Sequence, residues 1–304
     1  METLNFAAAM LSGSIVGDIT MQDQIFSRYM SVCISFALMT AVTASAYLIH
    51  QDYLRFKSLG PGGTPSTWLG YLKIKFLGLF AIHDPYMPPA IPPEIYLNRV
   101  AYLTKKELPK RKGSRPVVRG IAPHRQLDQR PSSQIFAKLR KEIEGMGDRW
   151  PRRLRHGTSC LEKHGPGLFA LQPINKSRHC SGEICHAHPS DGSMHLTLHP
   201  ADAAIVVLRG WGERHPLSSG GWLARFVPQG FVMVYAPRTE EETEIVRKIV
   251  AAACWWIGGV DVDGKFGEGF QEEPLSDAEI EEQTKEFKRP EACPVPVFIR
   301  GSTG

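Results

Sequence analysis

The longest stretch without a charged residue covers residues 29–49, and most of its positions are apolar. At a rise of about 1.5 Å per residue, a helix of this length crosses the hydrocarbon core of a bilayer. The basic residues that follow it outnumber the lone Arg28 before it: Arg55, Lys57, Lys73 and Lys75. We therefore predict a single-pass membrane helix with the large part of the chain that follows it in the cytosol, on the endoplasmic reticulum or another endomembrane. An uncleaved signal anchor and a buried soluble helix are the alternatives.

A second apolar segment, residues 68–82, is interrupted only by Lys73 and Lys75 and is too short to span a bilayer comfortably. We predict a helix that lies on the membrane surface or is buried under a soluble domain. Prolines at residues 84–93 predict a linker. These patterns set five predicted parts: a flexible N-terminus (1–28), the membrane helix (29–49), a juxtamembrane segment with linker (50–95), an α+β domain (96–260) and a C-terminal extension (261–304).

Three later stretches show helical periodicity. They cover residues 132–146, residues 201–209, and a segment that begins at Thr239, where Glu242 completes a capping box. In the second helix the apolar side chains share one side: Ala201, Ala204, Ile205 and Leu208.

Period-two alternation predicts a β-hairpin at residues 186–198 with residues 189–192 as its turn. This register pairs His188 with Ser193 and His186 with His195. One face then carries His186, His188, Ser193, His195 and Thr197, and the other carries Ala187, Met194, Leu196 and Leu198. With a further strand at residues 231–236, the pattern predicts a compact α+β domain in which an antiparallel sheet is backed by helices. A solvent-facing hairpin with histidines as polar filler is the alternative.

Candidate chemistry concentrates around the hairpin and the loop predicted at residues 210–216. Two glycines bend this loop and Pro216 extends the backbone at His215, which would aim that imidazole at the hairpin. The predicted catalytic residues are His186, His188, His195, Glu213 and His215. The predicted substrate-binding residues are Trp211, Arg214, Tyr235 and Arg238. A core position for Trp211, and an ion pair within residues 213–215, are the structural alternatives.

Composition excludes several classes of protein. The net charge of +5 is mild and its basic excess is local to residues 99–155, so nucleic acid is not an expected partner. The basic segment indicates either a solvated loop or attraction to anionic lipid headgroups next to the membrane helix. The six cysteines fit a reducing compartment better than a disulfide scaffold. No dinucleotide fingerprint, P-loop or Gly-x-Ser-x-Gly motif occurs. The histidine side chains are therefore the best remaining candidates for catalysis.

Several ordered motifs resemble the fungal luciferase family. They are His-x-His at residues 186–188, His-Leu-x-Leu at 195–198, Gly-Trp-Gly-Glu-Arg-His-Pro-Leu at 210–217 and Val-Tyr-Ala-Pro-Arg at 234–238. Upstream, the similarity includes residues 52–61 and 70–80, so that it covers most of residues 29–258.

The resemblance implies an oxygen-dependent oxidoreductase, because fungal luciferases oxidise a hydroxylated styryl-pyrone with dioxygen through a peroxide that loses carbon dioxide. We expect an oxygenase of fungal secondary metabolism that acts on a hydroxy-pyrone or a related polyketide or phenolic, not necessarily with light. Dioxygen would be the co-substrate, with no other cofactor. A histidine would remove the enol proton, and Arg214 or Arg238 would hold the anion.

Two alternatives stay open. A metal-dependent tailoring enzyme or hydrolase would use His186, His188 and His195 as ligands of a divalent metal and Glu213 as base. A non-enzymatic, membrane-anchored module would bind a lipid or a small apolar ligand through residues 68–82. The substrate and the oligomeric state do not follow from the sequence.

Overall fold

The computed structural model describes residues 2–91, 100–174, 182–225 and 227–266, with side chains given from residue 21 apart from residues 22 and 225. Most of the predicted C-terminal extension lies outside these residues. The described chain divides into an N-terminal unit, residues 1–55, and a second unit that begins at Phe56.

Helix α1 (Glu2–Ser58) forms the N-terminal unit and continues for three residues past the end of that unit at Arg55. Its part Asp23–Ser58 is long and apolar enough to cross a membrane, although a signal sequence near the N-terminus would meet the same criterion. The helix includes residues 2–28, a stretch without proline, and the flexibility of this N-terminal part stays a prediction.

The second unit is built around a six-stranded antiparallel sheet, whose strands are β3 (Leu154–Thr158), β4 (Pro166–Ala170), β5 (Glu183–Ala187), β6 (Met194–Thr197), β7 (Gly212–Arg214) and β8 (Phe231–Val234). They lie in the order β3-β4-β5-β6-β8-β7. A separate two-stranded hairpin precedes it, formed by β1 (Val118–Gly120) and β2 (His124–Gln126). A short 3-10 helix covers Gly221–Arg225. The α+β class with a histidine-bearing antiparallel sheet is therefore confirmed.

In the described part of the second unit, four helices accompany the sheet: α2 (Trp68–Gly78), α3 (Ser133–Arg149), α4 (Pro200–Leu208) and α5 (Glu240–Gly258). Helix α5 packs against β4, β5 and β6, while α3 packs against β3, β4 and α5. The predicted cap of α5 is confirmed, since the Thr239 side chain accepts a hydrogen bond from the Glu242 amide. Helix α3 continues past Gly145, where an end was expected, because one glycine inside a helix costs only about 1 kcal/mol.

Helix α4 buries a different side from the one that its apolar residues indicated. Leu208 is 58% exposed, whereas Asp202, Val206 and Val207 are buried. The Asp202 carboxylate accepts hydrogen bonds from the Tyr102 and Leu103 amides at 2.9 and 2.7 Å. These bonds turn Asp202 inward, and Leu208 consequently faces outward.

The hydrophobic core lies between one face of the sheet and the helices. It includes Leu139 and Met146 of α3, Leu168 of β4, Val232 and Val234 of β8, and Val246, Ile249, Val250 and Ala253 of α5. Helices on one face leave the opposite face of the sheet for the polar side chains.

Candidate active site

Four opposed residues form a row across four strands on the face away from the helices. His186 of β5 pairs with His195 of β6, His195 pairs with Met233 of β8, and Met233 pairs with Glu213 of β7. Directly opposed residues of antiparallel strands share a face, so these four side chains lie side by side. The predicted pairing of His186 with His195 is confirmed. The loop expected at residues 210–216 contains β7, and this strand places Glu213 in the row.

The predicted hairpin has its core face and its polar face as expected, but the polar face is buried rather than solvated. Ala187, Met194, Leu196 and Leu198 belong to the hydrophobic core. On the other face His188 is fully buried, while His186 and His195 are 2% and 4% exposed. Histidines that act as polar filler on a wet surface would not have these values.

A β-bulge brings a carboxylate to His186. The partner of β4 shifts from Cys185 at Leu168 to Glu183 at Phe169, which leaves one extra residue in β5. Bulges re-aim side chains next to active sites. Here Glu183 Oε1 lies 2.6 Å from His186 Nδ1, and Glu183 also accepts a hydrogen bond from Ser159 Oγ at 2.7 Å. Burial alone would raise the pKa of Glu183, but His186 and these hydrogen-bond donors outweigh it and lower the pKa.

His188 is oriented by a serine and an aspartate in the hairpin turn. Ser193 Oγ donates to Asp191 Oδ1 at 2.6 Å, and it therefore accepts from His188 Nδ1 at 2.9 Å. His188 thus carries its proton on Nδ1 and leaves Nε2 unprotonated. Burial lowers the pKa of His188 to about 3, so the imidazole is neutral at physiological pH.

His195 lies at the centre of the cluster. Its Nδ1 is 3.0 Å from His188 Nε2 and 3.4 Å from His186 Nε2, while its Nε2 is 3.1 Å from His124 Nδ1. His124 Nε2 lies 3.4 Å from Glu213 Oε1. Burial, followed by the neighbouring imidazoles, lowers the pKa of His195 well below its usual value.

Strand β8 supplies the apolar floor of this face. The rings of Phe231 and His195 stack with centroids 5.2 Å apart, and Met233 lies between His195 and Glu213 in the row. Tyr235, two residues further on, donates its hydroxyl to Glu213 Oε2 at 2.8 Å. Val232 and Val234 point to the core instead.

His215 reaches the cluster, as the sequence indicated, but both of its nitrogens bond to the backbone. Nε2 donates to the Ile121 carbonyl at 2.9 Å, and Nδ1 accepts from the Leu217 amide at 3.2 Å. These partners determine a neutral tautomer with its proton on Nε2. Burial lowers its pKa well below the usual value.

Three of the predicted substrate-binding residues do not face the histidines. Trp211 belongs to the core and donates to the Pro109 carbonyl at 2.6 Å. Arg214 is opposed to the core residue Val232 and so points to the other face. Arg238 pairs with Glu242 at the start of α5 and bonds to the Lys112 carbonyl. Tyr235 alone among the four touches the row.

His124 is the member of the cluster that sequence reasoning missed. It lies in β2, 71 positions before His195. The sequence on either side of it contains no pattern of histidines. Arg125, the next residue, forms a buried ion pair with Glu162 and donates to the Pro61 carbonyl at 2.6 Å. The short β1–β2 hairpin is thereby held over the sheet face.

Among the described residues, two histidine sets bring enough nitrogens together to hold a metal ion: His186, His188 and His195, or His124, His195 and His215. Both sets belong to one buried face that also contains three carboxylates, Glu183, Asp191 and Glu213. The arrangement can transfer protons, stabilise an anion or ligate a cation.

Comparison with known proteins assigns this chain to the class of luciferase-domain proteins. A family profile described as "Luciferase domain" matches residues 181–253. The luciferase of Neonothopanus nambi is 30% identical over 259 residues, which cover 78% of this chain and 91% of that protein. The luciferase of Armillaria ostoyae is 30% identical over 248 residues, 75% of this chain and 87% of that protein. The chain belongs to the fungal luciferase family. No solved structure matches it significantly.

Proposed function

We propose that this protein is a membrane-anchored oxygenase that oxidises a hydroxy-pyrone, or a related polyketide or phenolic, at the buried histidine face. The observation that carries the proposal is the contact of His195 with His124, His186 and His188 through ring nitrogens 3.0 to 3.4 Å apart. The relatives named as luciferases support the reaction class.

The chemistry requires three events at this face. The enol of the substrate gives its proton to an imidazole, and the carboxylates beside His186 and His124 stabilise the resulting imidazolium. A carbon of the electron-rich enolate then forms a bond to dioxygen, which is reduced to a peroxide while the ring is oxidised. Carbon dioxide then leaves with the lactone carbonyl carbon, as the O–O bond and the bond from that carbon to its neighbouring ring carbon break. Dioxygen is the co-substrate, and light emission is not required.

Oxygen uptake tests this proposal directly. The full-length protein in detergent is supplied with a styryl hydroxy-pyrone, a hydroxy-pyrone without the styryl group, and a simple catechol. We expect oxygen consumption with release of carbon dioxide from a pyrone, and a rate at least about 100-fold lower in His195→Gln, since positioned acid–base groups contribute on that order.

His156→Gln is the matched control, because His156 is an exposed histidine that pairs with Asp148 and opposes the core residue Leu168, which directs it to the helix side of the sheet. It should retain the wild-type rate. Equal rates of oxygen consumption in His195→Gln and wild type, or no oxygen consumption with any pyrone, would contradict the proposal.

We further propose that the membrane is part of the working environment. Helix α2 leaves a stripe of large apolar side chains exposed, formed by Leu69, Leu72 and Phe76 and continued by Leu79 beyond its end. Lys73 and Lys75 lie on the same helix, where their charges can snorkel to the lipid headgroups. An apolar substrate would reach the site from the bilayer, and the basic residues after the anchor favour the cytosolic side.

Quenching by lipids brominated on their acyl chains tests the placement of α2. Trp68, at its start, is 46% exposed. In nanodiscs, wild-type fluorescence should be quenched more than that of Trp68→Phe. Identical quenching of the two proteins would contradict an interfacial α2. Protease protection of sealed vesicles would report the side on which residues after the anchor lie.

A further inference from the structure

The two histidine sets share His195, so they compete for one imidazole. A ligand must offer an unprotonated nitrogen to the metal. In the set with His124 and His215 this condition fails, because His215 uses Nε2 to donate to Ile121 and Nδ1 to accept from Leu217. His215 would have to break a backbone bond to become a ligand.

In the other set the hydrogen bonds leave one nitrogen of each neutral imidazole free. A neutral His186 directs its Nδ1 proton to Glu183, and His188 directs its Nδ1 proton to Ser193, so that Nε2 is the unprotonated atom of each ring. Both Nε2 atoms face His195 Nδ1. A single N–H on His195 Nδ1 can donate a good hydrogen bond to only one of the two Nε2 atoms, which leaves the other buried Nε2 poorly paired. A cation bound between the three nitrogens would be a partner for all of them.

The spacing fits such a cation. Metal–imidazole bonds of about 2.0 to 2.1 Å in a tetrahedral site place neighbouring nitrogens about 3.3 Å apart. The separations from His195 Nδ1 are 3.0 and 3.4 Å. Three imidazoles fill three positions and leave at least one open.

The second nitrogen of each of the three imidazoles is also linked to a carboxylate, either directly or through one intervening side chain. His186 contacts Glu183 directly, and His188 reaches Asp191 through Ser193. His195 reaches Glu213 through His124. Metal-ligating histidines characteristically donate their other N–H in this way, which fixes the tautomer and strengthens the ligand. Three buried carboxylates also supply the negative charge that a divalent cation requires.

We propose that His186 Nε2, His188 Nε2 and His195 Nδ1 bind one divalent transition-metal ion of the borderline class that prefers imidazole, such as Zn²⁺ or Fe²⁺. The ion would hold the substrate's enolate oxygen or dioxygen at its open position, which supplies the positive charge that Arg214 and Arg238 do not bring to this face. That role rests on the proposed function, whereas binding of the ion does not.

Metal content is measured without substrate, so failure of this proposal and failure of the oxidation are distinguishable. Full-length protein in detergent is dialysed against Zn²⁺, Co²⁺ or, without oxygen, Fe²⁺, and analysed for bound metal. We expect about one equivalent in wild type and less than a tenth of that in His188→Gln. Glu183→Gln should bind about 10- to 100-fold more weakly, because it changes the partner that orients His186.

His215→Gln is the matched control, because it removes an equally buried histidine of the rejected set. It should keep the metal. Loss of metal in His215→Gln together with retention in His188→Gln would overturn the assignment in favour of the other set. If His188→Gln does not fold, visible absorption of Co²⁺ added to wild type reports nitrogen ligation directly. No stoichiometric metal and no Co²⁺ bands in wild type would overturn the proposal.

Discussion

The ion pair between Arg125 and Glu162 offers a sharp test of how the histidine face is held closed. The two side chains are 5% and 8% exposed, and Arg125 uses both terminal nitrogens on the Glu162 carboxylate. Glu162→Ala would leave a buried guanidinium that keeps its bonds to the Pro61 and His124 carbonyls but lacks a counter-charge. Removing one partner of a buried pair typically costs about 3 to 5 kcal/mol. We expect the lower end because those two carbonyls remain.

An exposed pair in the same unit serves as control. Arg140 and Glu144 lie one helical turn apart, 48% and 45% exposed, at 3.0 Å. Exposed pairs of this spacing contribute about 0.3 to 0.5 kcal/mol, so Glu144→Ala should leave the free energy of unfolding nearly unchanged. The difference between the two variants in the free energy of unfolding isolates the effect of burying an ion pair.

Chemical denaturation followed by tryptophan fluorescence measures both variants. All six tryptophans lie at residue 68 or later, so the signal reports the second unit rather than the apolar helix. Glu162→Ala should lower the denaturation midpoint clearly without changing the slope. Because Arg125 follows His124 in β2, the same variant should also lose oxygen uptake at temperatures where it is still folded. A loss of stability below about 1 kcal/mol would refute the reasoning.

Three further predictions use the same denaturation assay. Thr239→Ala removes the side-chain cap of α5 and should cost about 1 kcal/mol, whereas Thr239→Ser should restore it. Asp202→Asn keeps one acceptor for the two amides of Tyr102 and Leu103 and should cost about 1 to 3 kcal/mol; an unchanged midpoint would contradict the inward turn of α4. Lowering the pH should destabilise the protein between about pH 6.5 and pH 3, because burial lowers the pKa of His188 to about 3 and the unfolded chain therefore takes up this proton first. His188 contributes a slope of about 1.4 kcal/mol per pH unit, and His195 and His215, whose pKa values burial also lowers, add to it. Burial raises the pKa of Asp202 to about 7, which offsets the slope of one imidazole only, so a flat profile across that range would refute the prediction.

Local patterns predicted the hairpin and the main helices because their determinants are close together in the chain. The alternation around His186 and His195 set both the faces and the register, and Thr239 with Glu242 set the start of α5. The side of α4 that is buried depends instead on Asp202, whose partners lie about 100 residues away. Apolar periodicity contains no information about such a partner.

The site was predicted in part for the same reason. The hairpin histidines belong to adjacent strands, so their alternation pointed to one face. Glu213 was chosen from the loop motif, and its place beside them depends on β8, which lies between β6 and β7. His124 reaches that face from a separate two-stranded hairpin, and nothing near it in sequence indicates the contact. Arg214 and Arg238 were chosen for their charge, whereas strand alternation and the pair with Glu242 direct them elsewhere.

The burial of the histidine face under the β1–β2 hairpin has a kinetic consequence. Dioxygen is small enough to diffuse through transient gaps, but a pyrone-sized product must wait until the covering segments move. Loop and hairpin motions of this kind occur in microseconds to milliseconds and often limit turnover in enzymes with closed sites. We therefore expect a burst of product in the first turnover, followed by a slower steady rate set by product escape.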